Sequence, residues 1–481
     1  MQNARPHAVL LASAGMGHLI PAVELGKRLI THHNFTVTIF VVSTDPSTAK
    51  SLLESPYPKL TVSTLPFVDI SPLVQPSDDI VTKIIVLMRE SMPNLRSAIS
   101  VMKFRPTALI VDIFGTEAFP IADEFSMLKY VFVTSDARFL ALTVYAPAVE
   151  KMVEEEHVKQ KKPLRLPGCK PVRFEDTMEV YLKMDDRVYD EYTRLAREIP
   201  TADGILMNTW EDLDRLTIES LRDPKKLGDV VRVPIYPIGP LARPAEPVVG
   251  KGKHVMDWLE SQPSESVIYV SFGSGGTLST RQTIELAWGL ELSKQRFIWV
   301  FRPPLDHDAS GSFFTVSDES EALKRYLPNG FLTRIQEVGL VVPTWAPQSE
   351  ILAHPSVGGF LTHCGWNSTL ESITNGVPMI TWPLYAEQKM NATLLAEDLK
   401  VAVRSEKQPT ESVIGREEIA MMVRKIMEDE EGESMRIKVK ELKNSGENAL
   451  KKGGSSYNSL SQVVEECEYS LRCLTAKARG A

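Results

Sequence analysis

Short apolar segments rich in β-branched residues alternate with segments of helical spacing along the first half of this chain. The strand candidates are Ala8–Ala12, Thr36–Val42, Ala108–Val111 and Tyr130–Val133. Segment Ile20–Ile30 carries apolar residues at the spacing of a helix. Short buried strands that alternate with helices are typical of βαβ units, in which helices cover both faces of a parallel sheet. The pattern therefore predicts a doubly wound α/β domain.

The same alternation starts again in the second half. The candidates there are the strands Val267–Phe272, Phe297–Phe301, Gly339–Val342 and Gly359–Thr362 and the helix Thr280–Leu292. Between the halves, Ile238–Lys253 is rich in proline and glycine, which is typical of a linker. A chain of 481 residues is long enough for two large domains. We expect an α/β fold with two Rossmann-like domains, at 1–240 and 254–459, joined by a linker at 241–253. A C-terminal helix at about 460–481 is expected to pack back on the first domain.

The charge balance argues against nucleic acid as a partner. The chain has 54 basic and 62 acidic residues and a net charge of −8, whereas nucleic-acid backbones are bound by basic surfaces. The four cysteines form no Cys-x-x-Cys pair, which favours a reducing compartment. No segment reaches the roughly 18 unbroken apolar residues of a membrane span. We therefore expect a cytoplasmic protein without a membrane span, and we also expect a monomer.

The most specific motif lies in the second half. It comprises Trp345-Ala-Pro-Gln348, His363-Cys-Gly-Trp-Asn-Ser368, Glu371 and Tyr385-Ala-Glu-Gln388. This set resembles, from end to end, the signature box of plant family 1 UDP-dependent glycosyltransferases. The resemblance implies a GT-B-type fold, with two Rossmann-like domains facing across a cleft. It also implies inverting transfer of a sugar from a UDP-sugar in the second domain to a small acceptor in the first.

The middle of the box suits a diphosphate. The strand candidate Gly359–Thr362 is followed by His363-Cys-Gly365 and then by a helix, whose N–H groups and dipole favour an anion. The resemblance assigns His363, Asn367 and Ser368 to the phosphates, with Trp366 in the same segment.

The uracil and ribose positions have competing interpretations. Trp345 offers a flat face for uracil, although a single tryptophan is more often part of a core. Ser368-Thr-Leu-Glu371 is also a capping-box pattern, in which the glutamate caps its own helix. The resemblance instead implies that Glu371 binds the ribose hydroxyls. It also places the uracil against Trp345 and the Ala346 backbone, with Gln348 close by.

The resemblance also identifies residues for the sugar. Glu387 and Gln388 match the pair that binds sugar hydroxyls, although many members of the family have aspartate at the position of Glu387. A final glutamine is associated with glucose, so UDP-glucose is the expected sugar donor. The glycine-rich turn Ser271–Gly276 follows a strand, and the resemblance singles out its Ser274 as a further sugar-donor contact.

A candidate catalytic pair lies in the first half. Gly15-Met-Gly17 follows the first strand but does not complete a dinucleotide-binding motif, because Ile20 stands where the third glycine is required. His18 and Asp112 each follow a strand, at the edge where open α/β sheets bind ligands. A histidine suits proton removal from a hydroxyl, and a carboxylate can orient it. A structural histidine and a helix-capping aspartate are the competing interpretations, but the resemblance implies that His18 is the base and Asp112 its partner.

The acceptor is less well defined by the sequence. Phe114, Phe119, Phe139 and Leu140 are candidates for an apolar acceptor pocket, although such residues are more often part of a core. Val111-Asp-Ile-Phe-Gly-Thr116, Asp136-Ala-Arg-Phe-Leu140 and the closing Arg479-Gly-Ala481 resemble the hydroquinone and monolignol glucosyltransferase branch. Small phenols or aromatic alcohols are therefore the expected acceptors, although some relatives also glycosylate nitrogen. A UDP-sugar epimerase and a non-catalytic UDP-sugar sensor are the alternatives.

No metal or other cofactor is expected. Asp212-Leu-Asp214 and Asp306-His-Asp308 match the Asp-x-Asp tripeptide of metal-dependent transferases, but such tripeptides are frequent by chance. The second lies in a polar insertion at 303–328, for which the sequence allows either a functional lid or a disordered loop.

Overall fold

The computed structural model describes residues 5–42, 57–149, 151–250, 252–305 and 319–480. Two compact units divide the chain. The first comprises 1–174, 179–242 and the segment from Asn448 onward, and the second comprises Glu175–Met178 and Arg243–Glu447. The returning segment therefore begins at Asn448, before the position near 460 that the sequence suggested.

The first unit contains a seven-stranded parallel sheet in the order β3-β2-β1-β4-β5-β6-β7. Its strands are β1 His7–Ala12, β2 Thr36–Val41, β3 Leu60–Thr64, β4 Ala108–Val111, β5 Leu128–Val133, β6 Gly204–Met207 and β7 Ile235–Pro237. The chain order reverses between β1 and β4, whose registers pair Leu11 with Val111. Open α/β sheets bind ligands at such a reversal, because the loops on its two sides lead away in opposite directions.

The second unit contains a six-stranded parallel sheet in the order β10-β9-β8-β11-β12-β13. Its strands are β8 Val267–Ser271, β9 Arg296–Phe301, β10 Gly339–Pro343, β11 Val357–Thr362, β12 Met379–Thr381 and β13 Ala402–Arg404. Here the order reverses between β8 and β11, so the turn after β8 and the loop after β11 share one edge. The predicted pair of doubly wound α/β domains is confirmed.

Helices cover the sheets. In chain order they are α1 Met16–His33, α2 Ile80–Glu90, α3 Met92–Ser100, α4 Phe119–Glu124, α5 Ala137–Tyr145, α6 Lys151–Gln160, α7 Glu179–Leu182, α8 Arg187–Glu198, α9 Glu211–Arg222, α10 Gly228–Val231, α11 Lys253–Glu260, α12 Thr280–Ser293, α13 Glu319–Tyr326, α14 Phe331–Arg334, α15 Gln348–Ala353, α16 Trp366–Asn375, α17 Gln388–Thr393, α18 Arg416–Met427, α19 Glu430–Leu450 and α20 Ser455–Gly480.

Helix α20 completes the core of the first unit. Its buried Leu460, Val463 and Cys467 belong to the same apolar cluster as residues of β1 and β2. Glu466 accepts hydrogen bonds from the hydroxyls of Tyr130 and Tyr236, each at 2.5 Å, and thereby ties the helix to β5 and β7.

Candidate active site

The candidate catalytic pair lies at the reversal point of the first sheet. His18 stands in the first turn of α1, and Asp112 directly follows β4. Gly15, at φ 121°, makes the turn between β1 and α1, and the first helical bond runs from the His18 N–H to the Gly15 carbonyl at 3.2 Å. The His18 Nδ1 and Asp112 Oδ2 atoms are 3.3 Å apart. The two residues, which are far apart in sequence, are thus brought together as expected.

Ser13 fixes the carboxylate of Asp112. Its backbone N–H and its hydroxyl both donate to Asp112 Oδ2, at 2.8 and 2.5 Å. The other oxygen, Oδ1, accepts the Phe114 N–H at 3.0 Å. Burial alone would raise the pKa of Asp112, but the nearby His18 and the hydrogen bonds from Ser13 outweigh burial and lower this pKa. Asp112 is therefore an ionised, immobile partner for the imidazole.

This arrangement specifies the proton positions on His18. A carboxylate beside Nδ1 favours the neutral tautomer with its proton on Nδ1 and its lone pair on Nε2. Nε2 is then the nitrogen that can accept a proton from a hydroxyl group. The helix-cap interpretation of Asp112 is met only in part, because one oxygen holds the Phe114 N–H while the other faces His18.

The four predicted acceptor residues are all buried in the first unit. The Phe114 ring meets the His18 imidazole edge to face, with 5.4 Å between centroids. Phe119 lies in the first turn of α4, and Phe139 and Leu140 lie on α5, where the Phe139 N–H donates to the cap residue Asp136. Leu140 is completely inaccessible to solvent, which favours the core interpretation for that residue. Phe114 is thus the member of the set that the structure brings to His18.

In the second unit, His363 is enclosed by two glycines. A Cβ atom at Gly273 would lie 2.6 Å from His363 Nε2, and a Cβ atom at Gly365 would lie 2.4 Å from it. Gly273, at φ 76°, belongs to the turn after β8, and Gly365 is the N-cap of α16. Both positions therefore require glycine for the imidazole to fit between the two loops. Ser274 lies exposed in the first of them.

His363 is a neutral group in this setting. Burial, followed by the charge of Arg302, lowers the pKa of His363 to about 4. Its Nδ1 is buried and has no hydrogen-bond partner among the residues that the structure describes. A buried polar atom without a partner costs free energy, so a ligand that pairs with it gains affinity.

Helix α16 begins directly after this loop. The N-cap residue Gly365 has no side chain and therefore makes no side-chain cap for the first N–H groups of the helix. Asn391 holds the loop by donating to the Cys364 carbonyl at 2.8 Å. Trp366 and Ser368 are buried, and Asn367 is half-buried. A helix N-terminus beside an unpaired imidazole nitrogen is suited to binding a diphosphate.

Glu371 does not cap its own helix. Helix α16 starts at Trp366, so Ser368 and Glu371 both lie inside it, and the capping-box interpretation is wrong. Glu371 Oε2 accepts from Gln348 Nε2 at 2.6 Å, and Oε1 accepts from the Ser349 hydroxyl at 3.0 Å. Burial raises the pKa of Glu371, and the two hydrogen bonds oppose this effect. Gln348 also donates to the Ser368 hydroxyl at 2.8 Å, which links the start of α15 to α16.

Trp345 and Gln388 differ in their exposure and in their contacts. Trp345 is 45% exposed, which is unlike a core tryptophan, and the neighbouring Ala346 is buried. The Gln388 carbonyl oxygen accepts the N–H groups of Leu384 and Tyr385, at 2.9 and 3.1 Å. This orientation leaves the Gln388 amide nitrogen as the group available for an acceptor oxygen on a sugar. Glu387, the N-cap residue of α17, is half-buried.

Three residues that lie near candidate site residues were not predicted from the sequence. They are Ser13, Ser349 and Arg302, the last a partly buried arginine directly after β9. Ser13 follows β1 at the edge shared with Asp112, and this position after a strand was its available signal. For Ser349, the only available sequence signal was its position next to Gln348 of the box.

The two Asp-x-Asp tripeptides have different outcomes. Asp214 is buried and accepts hydrogen bonds from Thr209 and from the Ala137 N–H, whereas Asp212 is exposed and pairs with Arg215. Asp306 and Asp308 lie outside the described residues. In the described ranges, no group of three or more histidine, cysteine, aspartate or glutamate side chains is arranged to hold a metal ion. Nor does any helix of those ranges have the length and apolar character needed to cross a membrane.

Comparison with known proteins identifies the family. The family model described as UDP-glucoronosyl and UDP-glucosyl transferase matches residues 186–437. Anthocyanidin 3-O-glucosyltransferase 5 of Manihot esculenta is 56% identical, over 98% of this chain and 97% of its own length. Hydroquinone glucosyltransferase of Rauvolfia serpentina is 44% identical, over 97% of this chain and 98% of its own.

A solved structure agrees with the sequence comparisons. The crystal structure of TcCGT1 in complex with UDP has a TM-score of 0.91 and 47% identity, and the match covers 97% of this chain and 100% of that chain. The family and the fold that the box predicted are confirmed. The chain belongs to the UDP-glucoronosyl and UDP-glucosyl transferase family and is a plant family 1 UDP-glycosyltransferase of the GT-B fold, in the branch that includes hydroquinone glucosyltransferase.

Proposed function

We propose that this enzyme transfers glucose from UDP-glucose to the hydroxyl of a small phenol or aromatic alcohol and forms a β-O-glucoside. The proposal includes inversion at the anomeric carbon and no requirement for a metal ion or other cofactor. Two named relatives support it, because both are glucosyltransferases and their names specify hydroxylated aromatic acceptors. The cytoplasmic location and the monomeric state stay predictions.

The observation that carries the proposal is the pairing of His18 Nδ1 with the buried Asp112 carboxylate at 3.3 Å. A phenol is a weak nucleophile until it loses its proton, and a neutral imidazole is a suitable base near neutral pH. The ionised Asp112 stabilises the imidazolium that forms when Nε2 takes that proton. Phe114 supplies an apolar surface beside the imidazole, suited to an aromatic acceptor.

In the proposed step, the acceptor oxygen forms a bond to the anomeric carbon as its proton passes to His18 Nε2. The bond from that carbon to the diphosphate oxygen breaks, and UDP leaves with the electron pair. Because this is one displacement, an α-linked sugar donor gives a β-linked product.

The reaction also requires that the negative charge of the departing diphosphate is stabilised. The N-terminus of α16 provides backbone N–H groups and the positive end of the helix dipole. His363 stays neutral near pH 7, because its pKa is about 4, so it contributes a hydrogen bond and not a charge. Such preorganised donors stabilise developing negative charge in a site that excludes water.

The test is a panel of UDP-sugars against small phenols, with products identified by mass and by anomeric configuration. Replacing His18 with alanine should lower kcat by about 10²–10⁴-fold, the usual contribution of a general base. Replacing His32, an exposed histidine of the same helix, is the matched control and should leave kcat unchanged.

Three further outcomes would contradict parts of the proposal. Near-normal turnover of His18→Ala would remove His18 as the base. Sugar isomerisation in the absence of any acceptor would favour an epimerase. Loss of activity with a chelator, restored by a divalent metal, would contradict metal independence.

A further inference from the structure

Five charged side chains and one hydroxyl form a continuous hydrogen-bonded network in the first unit. It connects helices α2 and α8 to the 3₁₀ turn Thr116–Ala118, which lies just after Asp112 in the chain. The members are Arg89, Thr116, Glu117, Glu191, Arg194 and Glu198.

Arg89 holds two of the carboxylates. Its Nε donates to both oxygens of Glu117, at 2.9 and 3.2 Å. Its two terminal nitrogens donate to the two oxygens of Glu191, at 3.2 and 2.5 Å. Burial alone would raise the pKa of Glu191, but its bonds to Arg89 and the charges of Arg89 and Arg194 lower this pKa. The pairs are therefore ionised and geometrically specific.

Arg194 also holds Glu117 and, through Glu198, extends the network to the preceding residue of the turn. It donates to Glu117 Oε1 at 2.5 Å and to Glu198 Oε1 at 2.7 Å. The other oxygen of Glu198 accepts the Thr116 hydroxyl at 2.6 Å. Two consecutive residues, Thr116 and Glu117, are thus each held from α8, and Glu117 is held from α2 as well.

The turn itself is a short, rigid link to Asp112. The Gly115 N–H donates to the Asp112 carbonyl at 3.0 Å, and the Ala118 N–H donates to the Gly115 carbonyl at 3.0 Å. A Cβ atom at Gly115 would lie 2.8 Å from the Val111 Cβ, so the turn packs directly on β4. Ser13 therefore holds Asp112 directly, and the ionic network holds the turn that follows Asp112.

The carboxylates of this network are less exposed than those of another ion pair in the same unit. Arg96 and Glu124 also form a bidentate pair, but they are 55% and 42% exposed. Glu117 and Glu191 are only 16% and 14% exposed. Exposed pairs fix little, whereas a partly buried network of bidentate contacts defines a geometry.

We infer that this network is a positioning device for the turn that carries Asp112 and Phe114, with Thr116 and Glu117 as its positioning residues. The inference rests on the proposed function, because it assigns the turn to the base and the acceptor. Thr116 and Glu117 act through Asp112 and Phe114 and do not themselves touch the reacting atoms.

The test compares substitutions that remove or retain single contacts of the network. Thr116→Val removes the hydroxyl, Thr116→Ser retains it, and Glu117→Gln removes the charge. Glu124→Gln, which breaks the exposed pair, is the matched control. For each purified full-length variant, kcat, KM for the phenol, KM for UDP-glucose and the melting temperature are measured.

We expect Thr116→Val and Glu117→Gln to lower kcat by about ten-fold, since sub-ångström misplacement of a catalytic group costs a part of the roughly 10²-fold lost per 1 Å. KM for UDP-glucose should change less than about two-fold, because the sugar-donor residues lie in the other unit, and Thr116→Ser should recover most of the rate. The melting measurement ensures that each variant is folded at the assay temperature.

Two results would overturn the inference. One is a kcat within about two-fold of wild type in both Thr116→Val and Glu117→Gln, which is too small for a positioning role. The other is an equal loss of kcat in Thr116→Val and Thr116→Ser, which would show that the rate does not depend on the hydroxyl. If wild type uses only a non-phenolic acceptor, the proposed function fails, but the same comparison with that acceptor still tests the network.

Discussion

Replacing Gly273 with alanine should disable sugar-donor binding by displacing His363. The new Cβ atom would lie 2.6 Å from the imidazole, whereas ordinary contacts begin near 3.4 Å. The ring or the turn must therefore move by about 0.8 Å, and misplacement by about 1 Å can cost about 10²-fold in rate. We expect kcat/KM for UDP-glucose to fall by about 10–100-fold and UDP affinity to fall with it.

Gly250 provides the control for this experiment. It also lies in the second unit and has nearly the same positive φ, 77° against 76°, but a Cβ atom there would meet no described atom within 4 Å. Gly250→Ala therefore carries only the backbone cost of positive φ, about 1–2 kcal/mol. Isothermal titration with UDP and steady-state kinetics would be compared for the two variants. If Gly273→Ala binds UDP as Gly250→Ala does, the enclosure of His363 between two glycines is not what builds the phosphate site.

Three further substitutions test other contacts of the site. Ser13→Ala removes the hydroxyl bond to Asp112 but keeps the backbone N–H bond. We expect kcat to fall by about ten-fold, in line with the roughly 1.5–3 kcal/mol of a hydrogen bond to a charged group, while KM for UDP-glucose stays constant. An unchanged kcat would show that the backbone bond suffices. Glu371→Gln should weaken UDP-glucose binding but raise the melting temperature at pH 7. Burial raises the pKa of Glu371, so the ionised carboxylate destabilises the folded state increasingly as pH rises through that pKa. An amide cannot ionise and therefore lacks this penalty. A melting temperature that falls at pH 7 would contradict this sign. Gln388→Glu keeps the acceptor for the Leu384 and Tyr385 N–H groups but replaces the amide nitrogen by an oxygen. KM for UDP-glucose should therefore rise by about ten-fold or more, as expected when a buried hydrogen bond is lost, with little change in melting temperature. An unaffected KM would show that this amide does not bind the sugar.

The longer buried strands were predictable because each contains at least four consecutive apolar or β-branched residues. Strand β4 begins and ends at the predicted residues, and β1, β5 and β9 differ from prediction only at their ends. Strands β12 and β13 are three residues long, which is too short for a hydrophobic pattern. Strand β3 alternates threonine and serine with apolar residues, which is the period of a half-buried strand, but it is only five residues long and was not among the predicted strands.

The candidate site was predictable within the box, and the pair His18 and Asp112 was predictable from the position of each residue after a strand together with the family resemblance. The relation between Gln348, Ser368 and Glu371 was hidden by a local pattern, since Ser368-Thr-Leu-Glu371 resembles a helix start. A capping box at Ser368 would start the helix at Thr369, but the helix begins three residues earlier, at Trp366, where the loop after β11 ends. Contacts such as Ser13 with Asp112 depend on which strands become neighbours in the sheet. Sequence spacing does not contain this information, because β1 and β4 are separated by two other strands along the chain.

The position of helix α20 in the core of the first unit has a consequence for biosynthesis. Leu460, Val463 and Cys467 pack with strands near the N-terminus, so this core remains incomplete until the second unit has been translated. At 5–20 residues per second, Leu460 follows Ala242 by roughly 10–40 s, a period in which the apolar surface that it later covers is open to solvent. A nascent chain in this state is a natural client for ribosome-associated chaperones, and a fragment that stops at the linker should aggregate instead of folding.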